Sequence, residues 1–146
     1  MTRETRPTDD SSVVPLEVRI PTSVKPLAIT GGGLSVQSSW SAPSCDPPSP
    51  HADEYTHIHR SEFSKVLAGR AGTCVLDEFA GDGLHVFREV WIGADKDGCC
   101  LRLKLSNRRN KPLRLLSMTP LACLGPKSLI LGGNDSATRW EILVQQ

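Results

Sequence analysis

Aromatic residues make up only 5% of this 146-residue chain, and no apolar run approaches the roughly 18 residues that a membrane-crossing helix needs. Spanning helices are therefore not expected. Charge of one sign is missing too: 17 basic side chains stand against 16 acidic ones, which leaves no net field to attract nucleic acid or an anionic membrane. The opening residues, MTRETRPTDDSS, lack the apolar core of a secretory signal, so the sequence reads as cytoplasmic. Cysteine is present but unpatterned. Cys45, Cys74, Cys99, Cys100 and Cys123 are odd in number and irregularly spaced, with no CxxC pair to suggest zinc or a redox motif. They read as reduced thiols, mostly buried as small apolar groups.

What the sequence does have is turn-formers: 12 glycines and 11 prolines in a chain about the size of one domain. That mixture suits short strands joined by many turns. Residues 1–12 are polar and charged with nothing to bury, and are expected to form a disordered arm before a body spanning residues 13–146. In VVPLEVRIP, Leu16, Val18 and Ile20 alternate with Glu17 and Arg19, a period of two that makes a half-buried strand. Gly31 to Gly33 break LAITGGGLSVQ into two strands around a tight turn. Four prolines within residues 41–54 remove donors and fix φ, so that segment is expected to be a long loop.

Beyond the loop, FSKVLAG, GTCVLDEF and GLHVFREVWIG read as three strands separated by hairpin-like turns. In CCLRLKLSNRRNKPLRLL, Leu101, Leu103 and Leu105 form one comb, SNRRNKP turns the chain, and Leu113 and Leu115 resume the comb. An antiparallel hairpin is expected there. Leu115 and Leu116 break the alternation, which predicts a bulge or bend. KSLILGG and TRWEILVQ bring the total to about nine strands. No segment keeps a 3.6-residue apolar stripe with a cap, so few or no helices are expected. The fold class is all-β, a two-sheet antiparallel β-sandwich.

Candidate chemistry is sparse. HADEYTHIHRSE places His57 and His59 two residues apart, on one face if this is a strand, where their imidazoles could hold a metal with a carboxylate as third ligand. ADKDGCC offers Asp95 and Asp97 as in half of a calcium loop, but lacks the later ligands and reads as a β-turn. TGGGLSVQ is neither a dinucleotide fingerprint nor a phosphate loop, and no GxSxG elbow occurs, so neither a cofactor nor a nucleophilic mechanism is expected. Asp77 and Glu78 are neighbours on one strand and point to opposite faces, which rules them out as a facing carboxylate pair.

GLHVFREVWIG is unusual because both of its faces carry large apolar groups. Leu84, Val86, Val90 and Ile92 form one face, interrupted by Arg88; His85, Phe87, Glu89 and Trp91 form the other. A central strand covered on both sides accounts for this. A sugar-stacking platform also would, with Phe87 and Trp91 against a pyranose and His85 and Glu89 bonding its hydroxyls. Trp40 and Trp140 are further aromatic candidates.

The order of features in WIGADKDGCCLRLKLSNRRNKPLRLLSMTPLACLG and LILGGNDSATRWEILVQQ resembles the amino-terminal β-sandwich of α-galactosidase-like glycoside hydrolases, family 36 and its relatives. The resemblance covers residues 90–146. It implies a supporting domain that packs on a catalytic barrel, with the catalytic aspartates on that barrel and none in this chain. The reading is therefore a non-catalytic front portion of a glycosidase-like protein in carbohydrate metabolism. A stand-alone carbohydrate- or protein-binding sandwich is the alternative, and a small metalloenzyme built on His57 and His59 is a third.

Overall fold

The computed structural model describes residues 15–23, 25–38, 42–121 and 129–131. Within them lie ten strands: β1 (Glu17–Arg19), β2 (Leu27–Gly31), β3 (Leu34–Ser38), β4 (Ser44–Asp46), β5 (Thr56–Leu67), β6 (Arg70–Gly81), β7 (Leu84–Gly93), β8 (Cys99–Asn107), β9 (Arg114–Ser117) and β10 (Leu129–Leu131), with one 3₁₀ turn at Ala52–Glu54. The protein is all-β, and every strand pair is antiparallel.

A long four-stranded sheet in the order β5-β6-β7-β8 is the base of the fold. Ala68-Gly69 and Asp82-Gly83 join its first three strands, with φ of 51° and 77° in the first turn and 47° and 77° in the second. Positive φ at both central residues gives a turn whose twist matches that of the flanking strands. The β7 to β8 turn is wider. It is closed by Gly93 N–H donating to the Gly98 carbonyl at 2.9 Å and Lys96 N–H donating to the Gly93 carbonyl at 2.8 Å.

One face of this sheet is covered by two smaller sheets. Leu27, Ile29 and Val36 of the large cover sheet (β1-β2-β3-β10) pack on Val90, with Ile92 and Leu101 alongside. Cys45 of the small cover sheet (β4-β9) packs with Tyr55 on Phe79, Leu84 and Val86. Each fully buried Leu, Val or Phe here stabilises the fold by about 1.5–3 kcal/mol. The second layer of the sandwich is thus divided, and a seam runs across the long sheet between its halves.

Two expectations are corrected. β8 and β9 do not pair as a hairpin; β8 pairs with β7, and β9 crosses to the other layer to pair with β4. Arg109 steers this crossing, donating from Nε to the Asp82 carbonyl at 2.8 Å, from Nη2 to the Asp82 carboxylate at 2.9 Å and from Nη2 to the Pro48 carbonyl at 3.2 Å. An in-plane hairpin would leave the Leu84 and Val86 end uncovered, whereas the crossing packs Leu113 against it. Residues 41–54 are also more than a loop, since they contain β4 and the 3₁₀ turn. β4 fits between Pro43 and Pro47 and contains no proline itself, so its ladder loses no donor.

The phase slip at Leu115-Leu116 coincides with a register shift: Ser44 faces Ser117 and Cys45 faces Leu115, leaving Leu116 as the extra residue. Trp40, Trp140, Cys123, the arm and TRWEILVQ lie outside the described residues.

Candidate functional site

His57 and His59 do not share a face. Across β5 and β6, His57 stands opposite Phe79 while His59 stands opposite Glu78, so Ile58 is a bulged extra residue. One added residue turns the following side chains to the other side of the sheet. His57 consequently points into the sandwich and His59 out of it. Among the described residues no group of three or more His, Cys, Asp or Glu side chains is placed to hold a metal.

His57 instead joins a charged cluster at the seam. Its organiser is Asp77, which is fully buried. Arg60 grips the carboxylate side-on, Nε to Oδ1 and Nη2 to Oδ2, both at 2.8 Å; His57 Nε2 donates to Oδ1 at 2.8 Å; Arg88 Nη2 approaches Oδ2 at 3.3 Å. Arg60 lies opposite Asp77 on β5, and Arg88 lies opposite it on β7. Both arginines also reach across to the linker after β1, Arg60 to the Ile20 carbonyl and Arg88 to the Pro21 carbonyl, each at 2.7 Å. Phe79 lines the cluster, with its ring 5.2 Å from the His57 ring and 5.2 Å from the Arg88 guanidinium carbon.

Burial alone would raise the Asp77 pKa, but the hydrogen bonds from Arg60 and His57 and the charges of Arg60 and Arg88 outweigh it and hold the carboxyl below its usual range. Burial depresses Arg88, against the pull of Asp77. A carboxylate this well occupied is a poor proton acceptor at neutral pH. The cluster therefore holds charge and ties the two layers together.

The four residues His85, Phe87, Glu89 and Trp91 do lie together, on the outer face of the long sheet. Trp91 is 4% exposed, its Nε1 donates to the Lys65 carbonyl at 2.9 Å, and its ring lies over Gly72. Glu89 is held by Lys65 at 3.0 Å and by Arg102 at 3.1 Å. His85 Nδ1 meets Glu78 at 2.5 Å. Phe87 is half-buried, and Phe63, on the same face, is 40% exposed. Leu76 and Cys100 also lie on this face, the first half-buried and the second exposed.

Sequence reasoning missed Asp77, Arg60 and Arg88 as a unit. The one local sign was Arg88 interrupting an apolar comb, which is the mark of a charge with a buried partner. No protein-family model, curated protein or solved structure matches this chain. The likeness to α-galactosidase-like hydrolases rests on the sequence motifs alone.

Proposed function

We propose that this chain is a non-catalytic β-sandwich module that docks on another protein domain through the outer face of its long sheet. The observation that carries this reading is the state of the charges there. Glu89 is bound by both Lys65 and Arg102, and His85 and Glu78 bond each other, so these charges beside Phe63, Leu76 and Phe87 are already paired, and Lys104, opposite Phe87, sits exposed on the edge strand. Paired charges around apolar side chains can be covered by a protein surface without stranding a charge. A sugar's hydroxyls would need free partners instead. In α-galactosidase-like hydrolases, which the later half of this sequence resembles, the docked domain is a catalytic barrel, and that is the partner proposed.

The test begins with the coding DNA beyond codon 146, to find whether a barrel-type repeat of strands and helices follows in frame. Cys100 then reports on the docking, because it lies opposite Trp91 on the same face and is exposed. Alkylation of Cys100 is expected to be at least tenfold slower in the longer protein than in the 146-residue chain. Equal rates would overturn the docking face, and a frame without a barrel would overturn the choice of partner.

A second reading, an oligosaccharide-binding module, draws support from the 40% exposure of the Phe63 ring. Saturable shifts in tryptophan fluorescence on titration with oligosaccharides would favour it over docking. No shift across a broad panel would remove it.

A further inference from the structure

At the seam, two guanidinium cations, Arg60 and Arg88, face the single carboxylate of Asp77, an excess of one positive charge even with His57 neutral. Among the described residues, the charges bearing on Arg88 are Asp77 and Arg60, and Glu62, which attracts Arg60, is exposed at the rim. A buried guanidinium cannot shed its proton, so an excess of this kind is costly unless an anion balances it. Among the described residues, the one buried side-chain polar atom without a hydrogen-bond partner belongs to the same cluster: Arg88 Nε. Both hydrogen bonds of Arg88 leave from Nη2.

Exposure falls in order along the cluster. The side chain of Arg60 is 28% exposed, that of His57 20%, that of Arg88 6% and that of Asp77 0%. Solvent thus reaches the rim at Arg60 and His57 and not the carboxylate. We propose that this seam binds a small oxyanion, a carboxylate or phosphate group, which enters between Arg60 and His57 and accepts a hydrogen bond from Arg88 Nε. A water molecule would satisfy that donor but leave the charge excess in place; an oxyanion answers both. The site is on the inner face of the long sheet and is independent of the outer docking face.

The direct probe is the Arg88 Nε–H signal in nitrogen-15 NMR spectra of the full chain, assigned by its loss in Arg88→Lys. Acetate and inorganic phosphate are titrated separately at constant ionic strength. The signal is expected to move along a saturating curve with at least one of them, and the ion that binds tighter identifies the group. Calorimetry on Arg88→Lys is expected to show at least about tenfold weaker binding, the cost of one charge-assisted hydrogen bond. Should that variant fail to fold, Arg60→Gln at the solvent-reached rim leaves the Arg88 signal observable and is expected to weaken binding by a similar factor. A signal that stays fixed with both ions would mean a bound water only. That result overturns the proposal, as does a shift that tracks ionic strength without saturating, or wild-type affinity in both variants.

Discussion

Arg60 holds Asp77 in a side-on fork, with two 2.8 Å contacts from one guanidinium to the two oxygens of one fully buried carboxylate. The pair lies directly opposite across β5 and β6, and through the Ile20 carbonyl Arg60 also ties the long sheet to its cover. Removing the carboxylate would leave the buried guanidinium of Arg88 facing the partly exposed one of Arg60 with no anion between them.

Asp77→Asn is therefore expected to destabilise the fold by about 3–5 kcal/mol, the usual cost of stranding a buried partner. Glu17→Gln, which breaks the pair with Arg19 on the surface, is expected to cost less than about 1 kcal/mol. Urea denaturation of both variants checks the contrast, and equal losses would mean that Asp77 is not the organiser.

The same carboxylate sets an acid limit. Its folded pKa is depressed, so its contribution is fully present above the unfolded value near about 4. As pH falls below that, the unfolded chain takes up a proton that folded Asp77 refuses, and stability is lost until the folded pKa is passed. Glu89, also depressed because Lys65 and Arg102 outweigh its burial, acts in the same direction. Stability measured from neutral pH into acid is expected to fall less steeply in Asp77→Asn than in the wild type.

Gly72 lies beneath Trp91, and a Cβ there would come within 2.5 Å of both the indole and the Ile92 carbonyl. Gly72→Ala is expected to cost about 1–3 kcal/mol through overpacking and to displace the ring from its hydrogen bond to Lys65. Near-ultraviolet circular dichroism should lose part of its tryptophan signal. An unchanged spectrum would show that the ring does not depend on the glycine.

Arg109 pins the crossing from β8 to β9 through Asp82 and Pro48. Arg109→Ala is expected to lower stability by about 1–3 kcal/mol, and Arg109→Lys to recover little of it, because an ammonium lacks the fork that spans these acceptors. Full recovery by lysine would mean that only the charge matters.

The thiols should label in a fixed order. Cys100 is exposed, Cys45 and Cys74 are buried, and burial pushes the Cys99 thiol up to about 11. Iodoacetamide under native conditions is expected to modify Cys100 well before Cys45, Cys74 and Cys99, since thiolate character and access together set the rate. Peptide mass mapping over time gives the order, and early modification of Cys74 would show that the long sheet opens.

Local chemistry determined much of the fold. The alternation in VVPLEVRIP, the glycines in TGGG and the Asp82-Gly83 pair each act within a few residues, through side-chain period and permitted φ, and so strands and tight turns were legible before any pairing was known. The slip at Leu115-Leu116 was legible for the same reason. The outer-face set His85, Phe87, Glu89 and Trp91 followed from the period of two alone.

Tertiary structure decided the rest. Two strands flanking a short turn can close in one plane or cross between layers, and the choice fell to Arg109 and to the core that Leu113 covers, both contacts with distant segments. The bulge at Ile58 is a relation between β5 and β6, so neither strand's sequence placed His57 and His59 on opposite faces. Asp77 gathers partners from β5 and β7, between 11 and 20 residues away in the chain. Period and propensity act along one segment, whereas a buried charge is matched only when the sheet brings its neighbours alongside.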